Sequence, residues 1–300
     1  MSSPYLTQAR APLTCEIDAV NEYGEPLQIS IPAARALTVY VDNRELVTLM
    51  TLGAHPERLV GFHFFNPVAV MPLIEVVNTP STNEVTLSTA MVVAGKLRKN
   101  AVITRDTPGF VVNRLLAKLL GEAMHAVDTG TPFEVVNGSL APFGLPMTPF
   151  ELLELVGLKV GAHVLDTHHA AFPDRFFESP NLHRLAEHGT ILSRDAKGRV
   201  TGFDKKAVEI VAGGTSPMTG AEILARIEDG LADEIKRMLD DDVVHAAEDI
   251  DLCMILGGGW PFQMGGITPY LDRVGASERV FAATFHSPAI RGVASAALLT

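Results

Sequence analysis

The sequence has few of the features that mark an exported, membrane-bound or nucleic-acid-binding protein. Only two of its 300 residues are cysteines, and Cys15 and Cys253 have neither the spacing of a zinc site nor that of a redox pair. No stretch reaches the roughly 18 apolar residues of a membrane span, and the first residues lack an apolar signal core. Lys and Arg number 24 against 35 Asp and Glu, and the resulting charge of −11 repels a phosphate backbone. These absences predict a cytoplasmic protein without a disulfide, a metal site, a membrane span or a nucleic-acid partner.

Glycine-rich phosphate loops are also missing. The residues before His63 contain no G-x-G-x-x-G sequence, and the chain contains no Walker-type loop. Such loops let backbone N–H groups at a helix N-terminus approach the phosphates of a nucleotide. The sequence therefore offers no recognisable cradle for a dinucleotide.

The first third of the chain is predicted to contain strands. With 47% apolar and 20% charged residues, the composition can bury a globular core. Residues 36–52 read as two strands around a polar turn at Asp42 and Asn43. Three further apolar runs predict buried strands, and residues 81–99 between the last two have a helical period, with Ser81 and Thr82 as cap candidates. The runs are RLVGFHFF (58–65), PLIEVV (72–77) and NAVITRD (100–106).

From Pro108 onward the period is helical, and the pattern repeats. Arg114 opens a long amphipathic helix that leads to residues 142–158, and Arg226 lies in a similar helix that leads to residues 257–275. Residues 171–216 between the copies are rich in Pro and Gly and predict a loop-rich connector. We expect a mainly α fold in which two tandem helical domains follow a small α/β segment. The predicted boundaries are 1–57, 58–107, 108–205 and 206–300.

The sharpest candidate site is GFHFFNPVAVMPLIEVV, residues 61–77. His63 and Glu75 lie in neighbouring apolar strands, where each needs a partner. If the strands run side by side, the carboxylate can accept from one ring nitrogen while the other serves as a general base. Asn66 and Asn113 would add neutral donors for a developing oxyanion. A satisfied core histidine and a solvated carboxylate at a strand end remain the alternatives from residue types alone.

Three segments together resemble the 3-hydroxyacyl-CoA dehydrogenase family, especially bacterial multifunctional fatty-acid oxidation subunits with two copies of the helical domain. They are HPERLVGFHFFNPVAVMPLIEVV, KNAVITRDTPGFVVNRLL and GLPMTPFELLELVGL, and the resemblance spans about residues 55–285. It implies that His63 is the catalytic base, that Glu75 orients it and that Asn113 helps to hold the thioester carbonyl. Asn66 belongs to the same motif and is expected to bind substrate. The implied reaction oxidises a 3-hydroxyacyl-CoA thioester to the 3-ketoacyl-CoA in fatty-acid β-oxidation, with hydride passing to NAD.

The chain departs from that family before His63. Family members place a Rossmann-type domain opened by G-x-G-x-x-G ahead of this motif, whereas only 62 residues precede His63 here. The family's Ser-Asn-Thr-Ser segment should fall near residues 39–43, which read Val-Tyr-Val-Asp-Asn. We therefore interpret residues 58–107 as a truncated Rossmann-type remnant and expect NAD by family, with its binding site largely absent. The isolated chain is predicted to lack turnover and to need a separate NAD-binding chain or a homo-oligomer. The alternative is a non-catalytic fusion remnant that acts as a helical association module.

Residues 21–57 carry a second resemblance. NEYGEPLQISIPAARALTVYVDNRELVTLMTLGAHPE is similar to the start of the formate dehydrogenase accessory sulfurtransferase family, which places a junction near residues 55–57. That chemistry requires a Cys-x-x-Cys loop, and neither Cys15 nor Cys253 has such a neighbour. The sulfurtransferase activity is therefore not carried over. An accessory role in formate dehydrogenase maturation is the third hypothesis, and the missing cysteine loop counts against it.

Two other groups of polar residues receive structural interpretations. The His and Asp residues at positions 163, 166, 168 and 169 spread around a helix, so we expect solvated or capping roles and no metal. Lys96, Arg98 and Lys99 end the helix before the third strand, where we expect a solvated face, with a contact to coenzyme A phosphates as the alternative.

Overall fold

The computed structural model describes residues 14–20, 26–32, 34–41, 44–52 and 56–287. The chain divides into two compact units, Met1–Thr107 and Pro108–Thr300. No helix within the described ranges has the length and apolar character needed to cross a bilayer. Helices dominate, so the expectation of a mainly α fold is confirmed at that coarse level.

The first unit begins with two antiparallel hairpins. Strands β1 (Thr14–Val20) and β2 (Pro26–Pro32) form one, and β3 (Ala34–Val41) and β4 (Arg44–Leu52) form the other. The prediction of two strands over residues 36–52 is confirmed. The predicted turn at Asp42 and Asn43 lies outside the described residues.

A three-stranded sheet follows, made of β5 (Gly61–Phe64), β6 (Leu73–Asn78) and β7 (Asn100–Arg105). Strand β5 runs antiparallel to β6, and β6 runs parallel to β7. Helix α1 (Glu84–Lys96) connects the parallel pair, and its small residues Ala90 and Ala94 pack on Ile74 and Val76. The predicted order of strand, strand, helix and strand is confirmed.

The cap of α1 differs from the prediction. The Asn83 side chain accepts from the Thr86 N–H at 2.8 Å, so Asn83 is the N-cap rather than Ser81 or Thr82. The Thr82 hydroxyl instead donates to the Leu59 carbonyl at 2.5 Å. The prediction was wrong because Thr82 is engaged by a residue that is distant in sequence.

The second unit is built from ten α-helices and one short hairpin among its described residues. The helices are α2 (Val112–Asp128), α3 (Phe133–Ser139), α4 (Pro149–Val156), α5 (Leu158–Ala171), α6 (Pro180–His188), α7 (Lys205–Ile210), α8 (Gly220–Asp240), α9 (Ala247–Leu256), α10 (Ile267–Arg273) and α11 (Ala276–Phe281). Strands β8 (Leu192–Arg194) and β9 (Val200–Phe203) pair antiparallel between α6 and α7.

Helices α2 and α8 pack along each other and exchange ion pairs. Arg114 on α2 donates to Glu234 on α8 at 2.5 Å, and Arg226 on α8 donates to Glu122 on α2 at 2.8 Å. In each helix the glutamate lies about two turns after the arginine, so the pairing is reciprocal. This reciprocity agrees with an internal repeat, while the division of residues 108–300 into two separate domains stays a prediction.

The connector at residues 171–216 is more ordered than predicted. It contains α6, the β8–β9 hairpin and α7. Ser179 caps α6 by accepting from the Leu182 N–H, and Pro180 occupies the first helical position. The prediction of a loop was wrong there because a proline at the first position favours a helix start, where its missing N–H costs nothing.

Candidate active site

The pairing of β5 with β6 places His63 directly opposite Glu75. His63 Nδ1 lies 2.6 Å from Glu75 Oε2, a hydrogen-bond distance. The Glu75 side chain is fully buried, whereas that of His63 is 26% exposed. The structure thus brings these two candidate residues together as the sequence predicts.

The neighbours of the pair explain its chemistry. Glu75 is itself fully buried, so its carboxylate depends on hydrogen-bond donors inside the protein. Because an ionised carboxylate can only accept, the hydrogen of the shared bond belongs to Nδ1 of His63. A proton that His63 takes up must then bind at Nε2. The ring of Phe65 meets the imidazole edge-on, with centroids 4.6 Å apart, and supports its orientation.

Asn66 lies in the loop that joins β5 to β6. Its side chain is exposed, and the Asn66–Pro67 peptide bond is cis. The Pro67 carbonyl accepts from the N–H groups of Val70 and Met71, both at 2.9 Å, which closes the chain into a tight turn. Asn66 therefore precedes a well-defined turn, at the end of the strand that carries His63.

Asn113 lies in the second unit, exposed on the first turn of α2. No side chain caps this helix, and Gly109 and Phe110 before it have φ values of 73° and 47°. A Cβ on Gly109 would lie 2.3 Å from Nε2 of His168. Only glycine fits at this position, so the course of the chain into the Asn113 turn is tightly restricted.

His168 is a core residue, which the sequence did not predict. Its side chain is buried, and Nδ1 donates to the Val164 carbonyl at 2.7 Å. Burial, followed by the nearby Arg114 charge, lowers the pKa of His168 and outweighs the opposing effect of that hydrogen bond. In the part of the chain that the structure describes, no group of three His, Cys, Asp or Glu residues could hold a metal ion.

The sequence also missed the role of Lys99. Its ammonium donates to the carbonyl oxygens of Val68 and Met71, each at 2.5 Å. The expectation of a solvated side chain is therefore wrong for Lys99, although Lys96 and Arg98 are exposed. Val68 and Met71 lie 31 and 28 residues before Lys99 in the sequence. The one sequence signal for these contacts was the position of Lys99 immediately before β7.

The connection from β6 through α1 to β7 is the βαβ unit of the described residues, and it does not fit a dinucleotide. Its turn reads Thr-Pro-Ser-Thr-Asn over residues 79–83 and contains no glycine. The Asn83 side chain already occupies the N-terminus of α1. A pyrophosphate needs both a close backbone approach and open N–H groups at such a terminus. This turn offers neither of them.

Comparisons with known proteins agree with these features. Residues 43–107 match the family model of the 3-hydroxyacyl-CoA dehydrogenase NAD binding domain, and residues 109–201 match that of the C-terminal domain. The fatty acid oxidation complex subunit alpha of Acinetobacter baumannii strain SDF is 32% identical over 288 residues, which cover 88% of this chain. The same subunit of strain AYE matches equally well. The chain spans 40% of the length of these relatives.

One solved structure shares the fold. The 3-hydroxybutyryl-CoA dehydrogenase of Escherichia coli K12 superposes with a TM-score of 0.54 and 22% sequence identity. The alignment covers 78% of this chain and 69% of that one.

Proposed function

The chain belongs to the 3-hydroxyacyl-CoA dehydrogenase family, and we propose that it carries that family's proton-transfer site for 3-hydroxyacyl-CoA thioesters in fatty-acid β-oxidation. The observation that carries the proposal is the 2.6 Å contact between His63 Nδ1 and the buried carboxylate of Glu75. A buried carboxylate that fixes the tautomer of a partly exposed histidine is an arrangement suited to general acid–base chemistry.

His63 is the proposed base. Its Nε2 removes the proton of the 3-hydroxyl group, and the Glu75 carboxylate stabilises the imidazolium that forms. Positioned acid–base help of this kind contributes about 10²- to 10⁴-fold to a rate. In the reverse direction the same nitrogen returns the proton to the 3-keto oxygen.

The two asparagines are proposed to bind the substrate. Both side chains are exposed, and an amide N–H₂ can donate to an oxygen without carrying charge. We assign Asn113 to the thioester carbonyl, as the family resemblance implies, and Asn66 to substrate binding as a residue of the same motif as His63. Donors aimed at an oxygen that gains negative charge favour the transition state over the ground state.

Hydride transfer is the step for which this chain offers no support of its own. The reacting atoms must be held about 3 to 3.5 Å apart, which requires a bound nicotinamide. NAD is the family's acceptor, and the α1 turn does not suit its pyrophosphate. We propose that the 300-residue chain alone has negligible turnover and relies on a separate NAD-binding chain. A cytoplasmic location is proposed on the low cysteine content, with Cys253 buried and in no disulfide among the described residues.

Binding of acetoacetyl-CoA tests the proposed site without the need for turnover. Calorimetry should show saturable binding by the wild type that weakens about two- to tenfold in Asn66→Ala, because a neutral hydrogen bond to substrate is lost. His183→Ala is a matched control, since His183 lies in the second unit and pairs with Asp166. Failure of the wild type to bind acetoacetyl-CoA, together with cooperative unfolding, would instead support an association module.

A further inference from the structure

Lys99 ties together the loop between β5 and β6. We propose that Lys99 is a positioning residue that fixes this loop, residues 65–72, and so places Asn66 beside the strand of His63; the inference rests on the proposed function of Asn66. Its ammonium reaches the carbonyl oxygens of Val68 and Met71, on both sides of the loop's tip.

The loop has few other sources of order. The Pro67 carbonyl accepts the N–H groups of Val70 and Met71, and the Pro72 carbonyl accepts that of Asn100 at 2.7 Å. Lys99 binds two of the four carbonyls between these anchors, those of Val68 and Met71. Hydrogen bonds from a charged donor are about twice as strong as neutral ones, so this cation contributes a large share of the loop's order.

The backbone of Lys99 is itself held in place by the end of α1. The N–H of Lys99 donates to the Ala94 carbonyl at 3.1 Å, and that of Arg98 donates to Gly95 at 3.0 Å. With Arg98 at φ 57°, these two bonds form a Schellman motif. The next residue, Asn100, begins β7 opposite Leu73. The ammonium therefore extends from a backbone fixed on both sides, so only the freedom of the side chain itself is lost when it binds the loop.

The positions of His63 and Asn66 depend on different contacts. His63 is held by the β5–β6 register and by Glu75, and neither involves Lys99. Asn66 lies after the end of β5 and immediately before the turn that Lys99 closes. Loss of the ammonium should therefore displace Asn66 and leave the His63–Glu75 contact intact.

Amide hydrogen exchange tests the structural half of the proposal. In Lys99→Met the amides of Val70 and Met71 should exchange about tenfold to a hundredfold faster, because their turn opens more often. Lys96→Met is the matched control, since Lys96 is a lysine of the same helix end with an exposed side chain, and its exchange rates should equal those of the wild type. Unchanged protection of Val70 and Met71 in Lys99→Met would overturn the proposal. If Lys99→Met does not fold, Lys99→Gln, which keeps a donor without the charge, is measured instead, and the same two amides should exchange faster than in the wild type by a smaller factor.

Binding of acetoacetyl-CoA tests whether Lys99 acts through Asn66. Lys99→Met and Asn66→Ala should each weaken binding, and the double variant should be no weaker than the weaker single variant. Affinity for free coenzyme A should be unchanged in Lys99→Met, whereas a direct contact of Lys99 with the phosphates would weaken it. The positioning role would be overturned if the affinity losses of the two single variants multiplied in the double variant. It would also be overturned if Lys99→Met bound free coenzyme A more weakly than the wild type. If the wild type binds no acetoacetyl-CoA, the proposed function fails and takes the role of Asn66 with it, while the exchange rates still decide whether Lys99 orders the loop.

Discussion

The contact between His63 and Glu75 should contribute measurably to the stability of the first unit. Glu75 is fully buried and shares a 2.6 Å hydrogen bond with a histidine that is 26% exposed. A hydrogen bond to a charged group contributes about 1.5–3 kcal/mol. Because the imidazole is partly exposed, water can partly take over its role as a donor to Glu75. We therefore expect His63→Ala to lower the free energy of unfolding of the first unit by about 1.5–2 kcal/mol.

Glu75→Gln should cost less than His63→Ala. The glutamine amide keeps an oxygen that accepts from Nδ1, but the bond loses the charge, which corresponds to about 1 kcal/mol. In the double variant the two losses should not add, because Glu75→Gln weakens the same contact that His63→Ala removes. The expected coupling is about 1 kcal/mol, above the 0.3–0.5 kcal/mol within which independent sites add.

The assay must report on the first unit alone. Amide exchange of the β5 and β6 residues in increasing urea gives the opening free energy of that sheet. Trp260, the chain's one tryptophan, is buried in the second unit, so its fluorescence should not change among these variants. Additive losses in the double variant would refute the reasoning, because they would show that the two side chains do not act on each other.

Two further predictions concern His168 and Arg98. Burial lowers the pKa of His168 from its ordinary 6.5, so the unfolded chain binds this proton more readily than the folded one. The free energy of unfolding of the second unit should be at its full value above pH 6.5 and should fall as the pH drops toward the lowered pKa. Urea titrations should show a weaker dependence on pH in His168→Gln, and an unchanged dependence in that variant would exclude His168 as the cause. Arg98 has a φ of 57°, a backbone conformation that costs any residue with a side chain about 1 kcal/mol. Arg98→Gly should therefore raise the opening free energy of the first unit by about that amount in amide exchange measurements. A lower opening free energy would contradict the assigned backbone strain.

The strands were predictable because their apolar runs are short and clearly bounded. Strands β5 and β7 lie within the predicted segments, and β6 extends one residue beyond its segment, to Asn78. The contact between His63 and Glu75 followed from two polar residues in apolar surroundings. Their catalytic roles, and those of Asn66 and Asn113, came from the family resemblance and stay predictions.

The features that escaped prediction depend on contacts between residues distant in sequence. Thr82 was a reasonable cap candidate until its hydroxyl was found on Leu59, 23 residues earlier. The bonds of Lys99 to Val68 and Met71 leave no periodic trace in the sequence, since a lysine at the end of a helix usually faces solvent. His168 was expected to be solvated or capping because the four residues at 163, 166, 168 and 169 spread around a helix, whereas its side chain is buried close to Gly109.

The rate of NADH oxidation with acetoacetyl-CoA, measured for the 300-residue chain without any other protein, tests the central claim most directly. His63 and Glu75 are the proposed proton-transfer pair, and nicotinamide binding is proposed to belong to another chain. We expect the wild-type rate to equal that of His63→Ala at every enzyme concentration. A wild-type rate that rises with enzyme concentration and disappears in His63→Ala would contradict it.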